Sequence, residues 1–166
     1  MPCLKCAKKE YFSKLCREHF NFYFERKFMK HLSANKLLKK DESLNVLGAN
    51  KEVLKYLLRS LGRKTNTKFS AKARNVETFT LTEYSVKQLN NLMTKGIKKI
   101  PSSFLECFTQ EETEHFAKMH KLKISKPVYS KQEDLLKKLM DKVRNQRPNI
   151  YYCNYNMLKN FQKVLK

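Results

Sequence analysis

Residues 44–58, LNVLGANKEVLKYLL, decide how this chain is read. Leu44 to Leu47 is a short apolar run behind Asp41 and Glu42, the pattern of a buried strand. Gly48 breaks it. From about Asn50 to Leu61, Val53, Leu54, Leu57, Leu58 and Leu61 recur at helical spacing and form one apolar face. A strand, a turn containing glycine and a helix open a βα unit, which predicts a small parallel sheet. The second strand is expected at Val76 to Leu81, and a third at Leu122-Lys123-Ile124. Between the strands, residues 62–75 (GRKTNTKFSAKARN) are polar and basic with no acid, a candidate loop that orders on binding.

The rest of the chain is helical by period. Thr82 is expected to cap a helix running to about Lys95, with Val86, Leu89, Leu92 and Met93 inward and Gly96 as its stop. Pro101 to Cys107 reads as an irregular apolar connection. Thr109 with Glu112, and Ser130 with Glu133, are capping boxes that open helices to about His120 and Asn145. Pro148 stops the second, and a last helix is expected over about Asn154 to Leu165. Upstream, Phe20, Phe24, Phe28 and Leu32 recur every four residues in a helix over 20–39. Phe22, Met29 and Leu37 widen that stripe, and Arg26, Lys27 and Lys30 lie on the opposite face.

The chain has 166 residues, 36 Lys+Arg against 15 Asp+Glu, and a net charge of +21. Hydrophobic residues make 41%, enough for an ordinary core. Three glycines and four prolines argue against a disordered basic tail. No apolar run approaches the ~20 residues of a membrane span, and the N-terminus carries no signal-peptide core. These features point to the cytoplasm and to no membrane partner. A charge of this size opposes compaction unless a polyanion offsets it. Lysines (29) outnumber arginines (7), which favours phosphate and shape recognition over base reading. The alternative is compositional drift toward Lys and Asn.

Cys3, Cys6, Cys16 and His19 give C-x2-C-x9-C-x2-H. Two ligand pairs separated by a loop suit a closed, tetrahedral and therefore structural zinc site. Lys5, Lys8, Lys9, Lys14 and Arg17 surround it. Further candidate RNA contacts are Arg26, Lys27 and Lys30; Arg63, Lys64, Lys68, Lys72 and Arg74 on the basic loop; and Arg144 and Arg147 at a helix end. Tyr151, Tyr152 and Tyr155 read either as base-stacking residues or as a core cover. Cys107 and Cys153 read as two small buried hydrophobes, the alternative being a redox or sulfur-carrying pair.

The segment Cys3-Leu-Lys-Cys6 … Cys16-Arg-Glu-His19-Phe20 … Phe24-Glu25 resembles the N-terminal zinc module of the archaeal and cytoplasmic tRNA 2-thiolation proteins. Those are N-type ATP pyrophosphatases of the PP-loop family. Ser43 to Leu58, Thr80 to Gly96, Phe108 to Phe116 and Lys137 to Ile150 are similar to family segments in the same order. The resemblance implies an α/β, helix-dominated chain. A zinc knuckle and aromatic helix (1–40) precede a reduced, Rossmann-like PP-loop domain with a small parallel sheet (41–166). It also implies departures. The family writes S-G-G-K-D-S where this chain has Gly48-Ala49-Asn50-Lys51-Glu52-Val53, so a degenerate nucleotide loop keeps Gly48 and Lys51. The family's middle paired-cysteine region has no counterpart, no cysteine stands near Lys126 to Tyr129, and no second zinc module follows.

These departures predict a non-catalytic pseudoenzyme that needs no ATP and binds structured RNA. Ribosomal RNA is the favoured partner, with ribosomal proteins beside it. Occupation of a tRNA site as an inhibitory, hibernation or dormancy factor is the reading that follows. The alternatives are tRNA binding, or membership of a tRNA thiolation complex, and a protein-only adaptor.

Overall fold

The computed structural model describes residues 1–39, 42–62, 71–96 and 102–164. Arg63, Lys64 and Lys68 of the basic loop lie outside them. Among the described residues there are six helices and one two-stranded sheet: α1 (Arg17–Ala34), β1 (Leu44–Leu47), α2 (Lys51–Ser60), β2 (Arg74–Glu77), α3 (Leu81–Lys95), α4 (Gln110–Met119), α5 (Lys131–Gln146) and α6 (Ile150–Val164). β1 and β2 pair in parallel, Leu44 opposite Arg74 and Leu47 opposite Glu77. Two adjacent parallel strands need a crossover, and α2 supplies it, as the LNVLGANKEVLKYLL reading requires. None of the helices described is long and apolar enough to cross a membrane.

Phe20, Phe24, Phe28 and Leu32 are buried along α1, as their spacing predicts. Phe24 stacks on Phe108 (3.7 Å between ring centroids) and on Phe116 (4.1 Å). Each such side chain contributes ~1.5–3 kcal/mol of burial. This cluster also takes in Leu44, Val46, Val53, Leu54, Leu57 and Leu58, so β1 and α2 share a core with α1 and α4. A second cluster joins α3, α5 and α6 through Leu81, Val86, Leu136, Met140 and Tyr151. Phe22 and Met29 do not widen the α1 stripe: they are 55% and 44% exposed.

Several boundaries differ from expectation for identifiable reasons. α1 starts at Arg17 because Cys16 is its N-cap. It stops at Ala34, not near 39, because Lys36 adopts φ 49° and Leu37 N–H bonds the Leu32 carbonyl (3.1 Å). That left-handed cap satisfies the last carbonyls. The same device removes the third strand. Lys121 has φ 55°, and Leu122 N–H bonds the Ala117 carbonyl at 2.9 Å. Leu122 therefore completes the α4 cap and cannot join a ladder. β2 occupies 74–77, not 76–81, because Thr78 and Thr80 have other partners. The N-cap of α3 is Thr80, with Glu83 completing the box, and Thr82 instead accepts from Gln110 N–H (3.2 Å). Met93 points outward at 62% exposure. α6 begins at Ile150, four residues before the expected start. Asn149 accepts from Cys153 N–H (2.9 Å), so the helix starts directly behind Pro148, a residue suited to a first turn.

Candidate metal centre and nucleic-acid interface

The ligand pairs are set by two small turns and a helix start. Cys6 N–H bonds the Cys3 carbonyl (3.3 Å), closing the first knuckle, and Cys16 and His19 stand at the first turn of α1. All four donor atoms lie within 4.8 Å of one another. Cys6 Sγ is 3.7 Å from Cys16 Sγ. His19 Nδ1 is 3.4, 3.5 and 3.3 Å from the sulfurs of Cys3, Cys6 and Cys16. Metal–sulfur bonds of ~2.3 Å and a metal–nitrogen bond of ~2.0–2.1 Å give tetrahedron edges of about 3.8 Å between sulfurs and about 3.5 Å from sulfur to nitrogen. The observed edges match, so three thiolates and one imidazole fit a tetrahedral metal and the group forms a zinc-type module. Burial raises the Cys3 thiol, but amide N–H groups of Lys5, Cys16 and Cys6, together with His19, outweigh it and bring it down to about 6. Such a thiol surrenders its proton readily to a metal.

The knuckle is joined to the body through aromatic contacts. Phe12 stacks on His115 (4.1 Å) and meets Phe20 edge-on (5.2 Å), while Tyr11 Oη donates to the His115 carbonyl (2.8 Å).

The structure divides the candidate RNA contacts in two. Lys5, Lys9, Lys14, Arg26, Lys30, Lys72 and Arg147 are exposed and pair with no acid among the described residues. Lys8, Lys27, Arg74 and Arg144 are bonded to Glu18, Glu112, Glu42 and Glu111. Arg17 donates to the Met119 carbonyl at 2.6 Å. Lys27 departs furthest from expectation. Its side chain is only 20% exposed, and its ammonium donates to Glu112 (2.9 and 3.1 Å), Tyr23 Oη (2.9 Å) and Tyr152 Oη (2.7 Å). Burial alone would lower its pKa, but Glu112 and the phenols raise it above the ordinary lysine value. Of the three cations expected on the outer face of α1, Arg26 and Lys30 are therefore exposed and Lys27 is not.

The three tyrosines cover a core. Tyr151 is 1% exposed. Tyr152 Oη donates to the Cys107 carbonyl (3.2 Å), and Tyr155 Oη to Glu106 (2.7 Å). Glu106, a residue the sequence reading passed over, also accepts from Ser103 N–H (3.0 Å) and Lys159 (3.2 Å). The signal available was its place in the Pro101–Cys107 connection, an acid in an apolar run. Burial pushes the Cys107 thiol far above its usual range, whereas Cys153 is exposed. Cys107 behaves as a packed hydrophobe.

At the loop after β1, Gly48 has φ 103°, and a Cβ there would lie 2.4 Å from Thr78 Oγ1. Thr78 Oγ1 donates to the Leu47 carbonyl (2.8 Å) and accepts from Asn50 N–H (3.2 Å). The Asn50 side-chain amide donates to the Thr78 carbonyl and to Glu83, both at 3.3 Å. Lys51, exposed, opens α2. On the far side, Ser125 N–H bonds the Ala49 carbonyl (3.0 Å). Lys126, Pro127 and Tyr129 then border a groove of about 1020 Å³ that runs along α5 and the start of α4.

No protein-family model matches the chain. The tRNA-5-methyluridine(54) 2-sulfurtransferase of Pyrococcus horikoshii is 38% identical over 71 residues, which cover 37% of this chain and 23% of that protein. The chain thus spans about a quarter of that relative. A solved structure, the U34-tRNA thiolase NcsA from Methanococcus maripaludis with its 4Fe–4S cluster, superposes with a TM-score of 0.75 at 14% identity. That match covers 98% of this chain and 87% of the thiolase chain. Fold and local sequence therefore agree with the resemblance read from the knuckle and the βα unit. They overturn the expectation of a pseudoenzyme, because both relatives are thiolating enzymes. The preference for ribosomal RNA and a hibernation role has no backing here either, since both names specify tRNA. The donor set can hold a metal, and the thiolase structure carries a 4Fe–4S cluster.

Proposed function

We propose that this chain, a relative of the tRNA thiolation proteins, binds tRNA as a component of a thiolation complex in the cytoplasm. One observation carries the reading: a thiolase fold over 98% of the chain coincides with a net charge of +21. A surface of this sign recruits phosphates and releases their counterions. The contacting residues are the exposed cations Lys5, Lys9, Lys14, Arg26, Lys30, Lys72 and Arg147, joined by Arg63, Lys64 and Lys68. Cys3, Cys6, Cys16 and His19 hold a structural zinc that fixes the knuckle on α1. A Cys3His set closes all four positions, so the metal stabilises the fold and leaves no site for a substrate.

The test has two readouts. Purified chain is titrated with fluorescent tRNA at 50 and 200 mM salt, and 2-thiouridine is measured in tRNA from cells depleted of the protein. Salt-sensitive binding with a fall in 2-thiouridine supports the reading. Binding with unchanged thiolation removes the complex, and absence of binding removes tRNA. Elemental analysis giving one zinc per chain supports the metal assignment; iron with a visible absorption band refutes it.

A further inference from the structure

A cleft of about 360 Å³ opens where the first two turns of α1 meet the end of α4. Arg17, Glu18 and Asn21 form one wall, and Met119 and His120 the other. We propose that it holds a single unstacked nucleotide of the bound RNA, an assignment that rests on the tRNA-binding reading above.

Three features of the walls select such a ligand. Arg17 and Asn21 bring N–H donors that are not fully used among the described residues. Arg17 spends one amino group on the Met119 carbonyl (2.6 Å), which anchors the guanidinium plane. Its other N–H groups bond no acceptor among the described residues. His120 Nε2 lies 2.7 Å from Asn21 Oδ1. With the amide oxygen accepting, the Asn21 NH2 group is left with no acceptor among the described residues. A ligand rich in oxygen acceptors satisfies both, and phosphate oxygens and base carbonyls are such groups.

The second feature is a fixed aromatic wall. The His120 ring centroid is 4.4 Å from that of Tyr56 and 4.5 Å from that of Phe116. Two rings behind it hold the imidazole as a platform, and burial favours its neutral form. A base stacked on such a platform gains sequence-tolerant affinity. The third is charge. Glu18 would repel a phosphate, but Lys8 compensates it at 2.7 Å. Arg17 directly follows the ligand Cys16, so the cleft adjoins the knuckle with its exposed Lys5, Lys9 and Lys14. The volume falls in the range of small-ligand sites, ~300–1,000 Å³. A base paired in a duplex cannot enter, so the cleft selects loops and single strands.

Asn21→Leu removes the donor, and with it the oxygen that His120 bonds, while keeping the number and branching of side-chain heavy atoms, and Arg17→Lys keeps the charge while losing the planar fork. Each is measured by fluorescence anisotropy against a labelled oligouridylate heptamer and a 16-base-pair RNA duplex, with melting temperature and metal content as controls. Each variant should lose about tenfold in heptamer affinity, the cost of one hydrogen bond to an ionised or buried partner. Duplex affinity should change less than about twofold. Unchanged heptamer binding, or equal loss on both probes, overturns the proposal. If Asn21→Leu does not fold, Arg17→Lys decides by the same criterion. Intact tRNA binding with no selective heptamer loss refutes the cleft alone; wild-type protein that binds no RNA refutes the cleft and the tRNA reading together.

Discussion

Replacing Lys27 by methionine separates a stabilising cation from an RNA-binding one. The ammonium lies between Glu112, Tyr23 and Tyr152 and 5.1 Å from the centre of the Phe108 ring. Methionine keeps much of the stem packing but leaves the Glu112 carboxylate, 12% exposed, without its cation, and removes one donor each from Tyr23 Oη and Tyr152 Oη, which keep their bonds to Glu112 and the Cys107 carbonyl. Removing one member of a fully buried pair costs ~3–5 kcal/mol. The residual exposure of Lys27 and Glu112 lowers the expectation to about 2–3 kcal/mol. At ~2–4 °C per kcal/mol for a chain of this size, the melting temperature should fall by about 5–10 °C. The double variant Lys27→Met/Glu112→Gln should recover part of that loss, because the orphaned charge is gone. Urea titration gives the stability, and tRNA titration across salt gives the number of phosphates engaged. Stability should fall while the salt slope stays the same. A stability change under ~0.5 kcal/mol with a salt slope smaller by about one phosphate would refute the structural assignment and return Lys27 to the RNA contacts.

Three further outcomes are expected. Gly48→Ala should destabilise by about 2–4 kcal/mol, since it combines a left-handed φ with a Cβ against Thr78 Oγ1; the added variant Thr78→Ala should relieve part of this, measured by urea midpoint. Cys16→Ser or chelation should abolish stoichiometric metal and open residues 1–16 to proteolysis, because the Tyr11 and Phe12 contacts are held by the knuckle; intact resistance after metal loss would contradict that coupling. Burial holds His31 and His120 below the ordinary imidazole pKa. The unfolded chain therefore binds their protons first, so stability is full above about 6.5 and falls as pH drops through that value. His120→Gln should shrink the difference in urea midpoint between pH 7.5 and 5.5, and an unchanged difference would show that other groups carry it.

Periodicity and short-range chemistry were legible in the sequence. The four-residue spacing of Phe20, Phe24, Phe28 and Leu32 placed the buried face of α1, because only one helical face can be dry. Ser or Thr followed by Glu three residues later marked the starts of α4 and α5, because a capping box closes within one turn. The ligand spacing of Cys3, Cys6, Cys16 and His19 marked the metal centre, since two knuckle turns suffice to converge four donors.

Tertiary structure alone decided which of two competing partners each group takes. The cap of α3 is the exception: Thr80 with Glu83 carries the same capping-box signature as α4 and α5 and was passed over for Thr82, which instead accepts from Gln110 N–H across 28 residues of chain. Leu122 looks like a strand residue, yet the left-handed backbone at Lys121 commits its N–H to the α4 cap. Lys27 and Lys30 are indistinguishable as basic residues on α1, and only the approach of α4 and α6 encloses one and leaves the other in water. Long-range contacts of this kind leave no trace in local spacing, because they depend on which helix faces meet.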